Sequence, residues 1–117
     1  MVSMISAITA LALTITGTAS AAFTGHAQWY FTGGVGFCGF PLPANKLVVA
    51  IATPVYNKGV NCGRTAQVNF QGKSVNVTVY DQNNVFVNQG DIDLSQTAYS
   101  QLTSLDNDGI TVTWDFV

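Results

Sequence analysis

The acidic residues of this chain are all aspartates, and three of them, Asp81, Asp91 and Asp93, fall within one short stretch. A partly buried Asp93 beside Asp81 and Asp91 would be driven toward its neutral form by like charge and by desolvation. That is the state in which a carboxyl acts as a general acid. Ordinary glycoside hydrolysis needs a second carboxylate across the bond, yet from Phe23 through Tyr80 there is neither Asp nor Glu. Two-acid hydrolysis is therefore disfavoured. A Ser/His/Asp triad would have to run through His26, the one imidazole, and a lone His next to Gly25 reads as an ordinary strand residue. One His and two Cys are too few soft ligands for a structural zinc, and no metal or other cofactor is implied. Asp91 and Asp106 read as residues of solvated loops.

Four bases against six acids, a net charge of −2, provide no basic footprint for a phosphate backbone, so nucleic acid is not an expected partner. Of 117 residues, 48% are hydrophobic and 9% charged, which suits one domain. Residues 1–22 contain no charged side chain, and their apolar run from Met4 to Ile15 is too short to span a bilayer. Gly17 and the small residues Ala19-Ser20-Ala21 follow, as at a signal-peptidase site. The expectation is a signal peptide over 1–22 and a secreted, extracellular domain over 23–117, monomeric and free of the membrane once cleaved. In that oxidising compartment Cys38 and Cys62 would pair. Such a bridge contributes roughly 3 kcal/mol in the chain-entropy picture.

The elements that must position these groups are mostly strands. Ala66, Val68 and Phe70 alternate with polar residues, Gln71-Gly72-Lys73 turns, and Val75, Val77 and Val79 alternate again, a hairpin with one apolar face. Ile110, Val112, Trp114 and Phe116 repeat the pattern, and the run Leu47 to Ala52 reads as a strand buried on both faces. Gly25 to Thr32 supplies another, with Trp29 and Phe31 turned toward the core opposite Tyr30. Only Leu94, Ala98, Leu102 and Leu105 change period, predicting a single short helix with Ser95 as its N-cap. Asn107-Asp108-Gly109 breaks the chain before the last strand. Short strands, Gly-rich connections and one helix predict a compact all-β barrel.

Several motifs then stand in order: Gly25-His26-Ala27-Gln28-Trp29-Tyr30, Gly33-Gly34-Val35-Gly36-Phe37-Cys38-Gly39, Asn61-Cys62-Gly63, Val79-Tyr80-Asp81 and Asp93-Leu94-Ser95-Gln96-Thr97-Ala98-Tyr99. With them the chain resembles the RlpA-like double-psi β-barrel family, which includes barwin, the first domains of expansins and small secreted fungal proteins. The fungal members look most similar. The resemblance implies an all-β, six-stranded double-psi β-barrel with one short helix and a shallow groove on one face that lies along a polysaccharide. Its two groove aspartates match Asp81 and Asp93, and its groove Thr-Gly pair matches Thr32-Gly33. Where many fungal relatives carry a Cys-x-x-Cys box after the first aspartate, this chain has Gln82 to Val87, so the 82–90 loop is expected to be looser.

On this reading Asp81 and Asp93 hold sugar hydroxyls, and Trp29, Tyr30, Phe31, Phe37, Phe40 and Tyr80 are candidate aromatic faces for stacking, with Trp29 and Phe31 assigned to the core by alternation and Tyr30 and Tyr80 to the surface. The leading expectation is a non-hydrolytic, expansin- or barwin-like protein that binds or loosens cell-wall polysaccharide. An alternative is a protein-binding module, such as a cysteine-protease inhibitor or a plant–microbe interaction protein, with the Gln82 to Gly90 loop and its apolar Val85-Phe86-Val87 as the recognition element unless that segment folds inward as a strand. A third is a lytic transglycosylase-like enzyme with Asp93 as both acid and base. Asn76-Val77-Thr78 is a glycosylation sequon whose Asn lies on the polar face of its strand.

Overall fold

The structure, a computed structural model, describes residues 22–117. The expected signal peptide therefore lies outside the described residues except for Ala22. Among the described residues there are six strands: β1 Phe23–Tyr30, β2 Val48–Ala52, β3 Thr65–Phe70, β4 Lys73–Asn83, β5 Ile92–Ser95 and β6 Ile110–Phe116. They close in the order β1-β5-β2-β4-β3-β6. The β1–β5 and β2–β4 pairs are parallel and the other four antiparallel, so the barrel is mixed. Closure removes every sheet edge.

The interior is filled by the alternate residues of each strand, among them Val49, Ile51, Val68, Val77, Val79, Leu94, Val112 and Trp114. Each such side chain stabilises the fold by about 1.5–3 kcal/mol when fully buried. The Cys38–Cys62 disulfide is formed, and its contribution matches that of only one or two core residues. The core dominates. Trp114 satisfies its indole by donating from Nε1 to the Gly90 carbonyl, 2.9 Å away. Gly90 in turn packs so tightly on the Thr24–Gly25 backbone that a Cβ on Gly90 or Gly25 would overlap main-chain atoms.

The β3–β4 hairpin is tighter than the sequence suggested. Phe70 pairs with Lys73, leaving only Gln71 and Gly72 in the turn. Both have left-handed φ (48° and 82°), the geometry of a two-residue turn that matches the twist of its strands. β2 is buried along its whole length, as its apolar run required.

The short helix after β5 is α2, Gln96–Ser100, and the Ser95 hydroxyl caps it by accepting from the Ala98 N–H. The helical spacing overreached at both ends: Leu94 is a strand residue pointing into the barrel, and Leu105 lies beyond the helix, partly exposed. A further single turn, α1 (Thr53–Tyr56), follows β2, with Pro54 in the first helical turn, where its missing N–H costs nothing. β1 ends at Tyr30, which corrects the expected inward Phe31: it is 80% exposed, its ring meeting the edge of Trp29 at 5.1 Å. The inward strand weighed for Val85-Phe86-Val87 is also absent, because β4 stops at Asn83.

Candidate functional site

The site is built on one row of residues across four neighbouring strands. Asp81 on β4 and Asp93 on β5 each stand in register with Ala50 on β2, and Gln28 on β1 is in register with Asp93. Directly paired residues point to the same face of a sheet. Ile92 and Leu94 flank Asp93 and belong to the core, so the row lies on the outside of the barrel. Two strand spacings put the Asp81 and Asp93 Cα atoms about 10 Å apart.

Asp81 reaches that face through a bulge. It shares the parity of Val75, Val77 and Val79, all of which point inward. Between β2 and β4 the register slips: Val49 pairs with Val79, but Ala50 pairs with Asp81, leaving Tyr80 as the extra residue. A β-bulge re-aims every side chain after it. Here it turns a carboxylate outward that plain alternation would bury.

The two carboxyls are used differently. Asp81 Oδ1 accepts from the backbone N–H groups of Phe37 (2.9 Å) and Gln82 (3.0 Å), charge-assisted bonds that tie the 33–40 loop to β4. Gly36 makes that approach feasible, since a Cβ there would overlap the Tyr80 carbonyl oxygen. The same carbonyl accepts from the Cys38 N–H, and the Phe37 carbonyl accepts from the Tyr56 hydroxyl. Phe37 itself is left 65% exposed beside Asp81.

Asp93 is only 6% exposed. Its Oδ2 accepts from Asn83 Nδ2 at 2.9 Å, whereas its Oδ1 is buried and has no hydrogen-bond partner. Burial pushes its carboxyl above the usual carboxylate range, and the Asp81 charge adds to this. Asn83, Gln28 and His26 pull the other way without winning. Gln28 is near enough to ease the charge but closes no hydrogen bond of ordinary geometry to Oδ1. An unpaired buried acceptor of this kind costs roughly 1–3 kcal/mol.

Tyr30 is half-buried. It pairs with Ser95 on the same outer face, but its hydroxyl is enclosed and unpartnered. Burial, then the charges of Asp81 and Asp93, hold the phenol proton far more tightly than usual. Its hydroxyl is thus a buried donor in the field of both acids, while the residue as a whole keeps part of its surface exposed. Tyr80 is half-buried, with its ring 4.9 Å from that of Phe40 and 5.2 Å from Lys46 Nζ. Thr32 is partly buried two residues after Tyr30, and Gly33 is exposed beside it. Among the described residues neither is hydrogen-bonded to either carboxylate. Asp91, expected on a solvated loop, is half-buried and accepts from the His26 N–H at 2.8 Å.

Among the described residues, no three His, Cys, Asp or Glu side chains cluster as a metal site would need. The arrangement is one of hydrogen bonds: a buried acceptor, an enclosed phenol and amide side chains around a small alanine floor.

No family model matches the chain. A papain inhibitor of Streptomyces mobaraensis is 34% identical over 102 residues, an alignment covering 80% of this chain and 71% of that protein. The chain belongs to the expansin-like double-psi β-barrel family. Among solved structures, the Streptomyces papain inhibitor is similar with a TM-score of 0.72 and 29% identity, over 83% of this chain and 96% of that one. The expansin of Clavibacter michiganensis gives 0.73 and 28%, over 81% of this chain and 50% of its own. An Asp-to-Asn variant of that expansin in complex with cellohexaose gives 0.72 and 27%, with the same coverage. The double-psi barrel thus spans half the length of the expansin.

Sequence reasoning singled out Phe37 as a candidate stacking face but not Asn83 or Gln28 as site residues. Gln28 was legible, since it sits on the polar side of an alternating strand in the motif containing Trp29 and Tyr30. Asn83 becomes legible only once β4 is known to continue past Asp81 as a strand.

Proposed function

We propose that this barrel is an exported, non-hydrolytic binder of cell-wall polysaccharide that holds sugar hydroxyls along the Asp81–Ala50–Asp93–Gln28 row. The observation that carries the reading is the unpartnered Oδ1 of Asp93, buried on the same outer face as Tyr30 and Asp81. A sugar hydroxyl donating to that oxygen would recover most of the cost of leaving it unpaired. Thr32 and Gly33 extend the groove beyond Tyr30. Exposed Phe37 and the Phe40–Tyr80 pair at the rim offer apolar faces to a pyranose ring. The likeness to an expansin crystallised with cellohexaose supports this ligand class. The disulfide supports export, since such bonds persist outside the cytosol.

Calorimetric titration with cellohexaose, alongside pull-downs on cellulose and chitin, tests the reading. Wild type binds, and Asp93→Ala weakens binding about tenfold, equivalent to about 1.4 kcal/mol. Absence of binding to any of these polymers overturns the proposal. Release of soluble sugar that disappears in Asp93→Ala would replace it with the lytic reading.

The 84–90 loop favours a second reading, inhibition of a papain-like cysteine protease, in keeping with the 34% identical papain inhibitor. Val85 and Val87 are 74% and 98% exposed, while Phe86 packs against the core and anchors the loop. Two branched apolar side chains held out in water are what a protein partner would bury. Inhibition of papain that falls in Val85→Ser/Val87→Ser supports it, and full protease activity at excess barrel removes it. Phe86→Ala is unsuitable for this test because it would disturb the core.

A further inference from the structure

Asn83, the last residue of β4, makes two hydrogen bonds in opposite directions. Its Nδ2 donates to Asp93 Oδ2 at 2.9 Å, and its Oδ1 accepts from the Val85 N–H at 3.0 Å. One short amide side chain therefore joins the groove acid to the first turn of the loop. Both of its ends matter. By occupying Oδ2, Asn83 leaves Oδ1 as the free oxygen of Asp93, and by holding the Val85 N–H it sets the direction in which Val85 leaves the barrel.

The rest of the loop is held by other contacts. Phe86 is seated on the core, Asn88 Oδ1 accepts from the Gly90 N–H at 2.8 Å, and Gly90 is locked between Thr24 and Trp114. Only its front end depends on the site. The looser loop expected from the missing Cys-x-x-Cys box is thus fastened at both ends, one of them by a side chain that also answers to Asp93.

We propose that Asn83 is a positioning residue that links the Asp93 carboxyl to the 84–90 loop, so that a sugar hydroxyl bound at Asp93 and an apolar protein surface seated on Val85 and Val87 bind with linked affinities. The inference deepens both readings, resting on the polysaccharide one for the identity of the first ligand and on the papain-like protease one for the second. Linkage is reciprocal: whatever loop binding does to the groove, groove binding does to the loop. Such coupling requires an element that both sites bias, and the Asn83 amide, hydrogen-bonded to each, is that element.

The link can be read without any ligand, because protonation of Asp93 alters the bond Asn83 makes. Tyr30 and His26 on β1 and Asp81 on β4 are the titratable groups acting on Asp93, so its own variant is the necessary control. In an NMR pH titration, the Val85 amide shift follows the Asp93 side-chain curve in wild type. It is flat across that range in Asp93→Asn. In Asn83→Ala it no longer follows Asp93, whose midpoint moves further up once the bond that lowered it is lost. A Val85 shift that ignores Asp93 in wild type, or persists in Asp93→Asn, overturns the proposal even should Asn83→Ala fail to fold. Cellohexaose then provides the second arm, moving the Val85 amide in wild type but not in Asn83→Ala. If cellohexaose binds nowhere, the groove reading falls while the pH result still decides the link.

Discussion

Asp81 and Asp93 are brought onto one outer row by a shared neighbour, since each pairs in register with Ala50 of β2. Ala50 is 2% exposed, although it lies on the outer side of its strand. The floor between the acids is thus a methyl group, the smallest side chain that still covers the sheet.

Enlarging that floor tests the groove directly. Leu in place of Ala50 would fill the space between the two carboxyls and separate any ligand from Asp93 Oδ1. The expected cost in stability is about 1–3 kcal/mol, typical of overpacking at a closed site. The barrel should still fold, with cellohexaose binding lost. Circular dichroism with calorimetry checks both, and undiminished affinity in Ala50→Leu would place the ligand elsewhere.

The architecture was legible in the sequence because a closed barrel needs little more than alternation and turns. Val75, Val77 and Val79 gave away β4, Gln71-Gly72 its turn, and Ser95 the start of α2. The face of Asp81 was legible only by likeness to a family, since its parity with those valines points it inward and the Tyr80 bulge reverses this. A bulge is one unpaired residue with no composition of its own, so periodicity cannot find it. Tyr30 was legible in part. Alternation placed it on the outer face but gave no sign that its hydroxyl is enclosed there without a partner. Asn83 was hidden because its two partners, Asp93 and Val85, are joined only by the fold.

Removal of the disulfide addresses the loop that Asp81 holds. Cys38 tethers the 33–40 segment to Cys62, next to the backbone bonds that Phe37 and Cys38 make to Asp81 and Tyr80. Cys38→Ser/Cys62→Ser is expected to lose about 3 kcal/mol, the amount by which a loop of this length restricts the unfolded chain. Thermal melts give the figure. Because Asp81 still grips the Phe37 N–H, cellohexaose affinity should fall less than stability does.

Asn76 is exposed on β4, paired with Gln67 on β3 and on the far side of the Tyr80 bulge from Asp81. A glycan there would project from the β3–β4 hairpin, clear of the carboxyl row. Secretion from a eukaryotic host should give a heavier protein whose excess mass is removed by peptide-N-glycosidase and is missing in Asn76→Gln. Cellohexaose binding should be the same with and without the glycan. An unmodified secreted protein would show the sequon to be silent.

The buried acid also predicts how stability follows pH. Asp93 holds its proton more tightly in the folded barrel than in the unfolded chain, because burial outweighs the help of Asn83 and Gln28. Between the ordinary carboxylate value and the higher folded value, the folded state keeps a proton that the unfolded state has released. Stability contributed by Asp93 is therefore fullest below the ordinary value, falls as pH rises through that window, and levels off above it. Asn at position 93 keeps an acceptor for Asn83 Nδ2 and carries no charge at any pH. Asp93→Asn should accordingly match wild type below the ordinary carboxylate value and exceed it at neutral pH by roughly 1 kcal/mol, on the order of a buried polar group's cost. Urea melts at the two pH values check this: equal curves for both proteins at neutral pH would mean that Asp93 is solvated in the folded state, and the unpaired oxygen would lose its claim on a ligand.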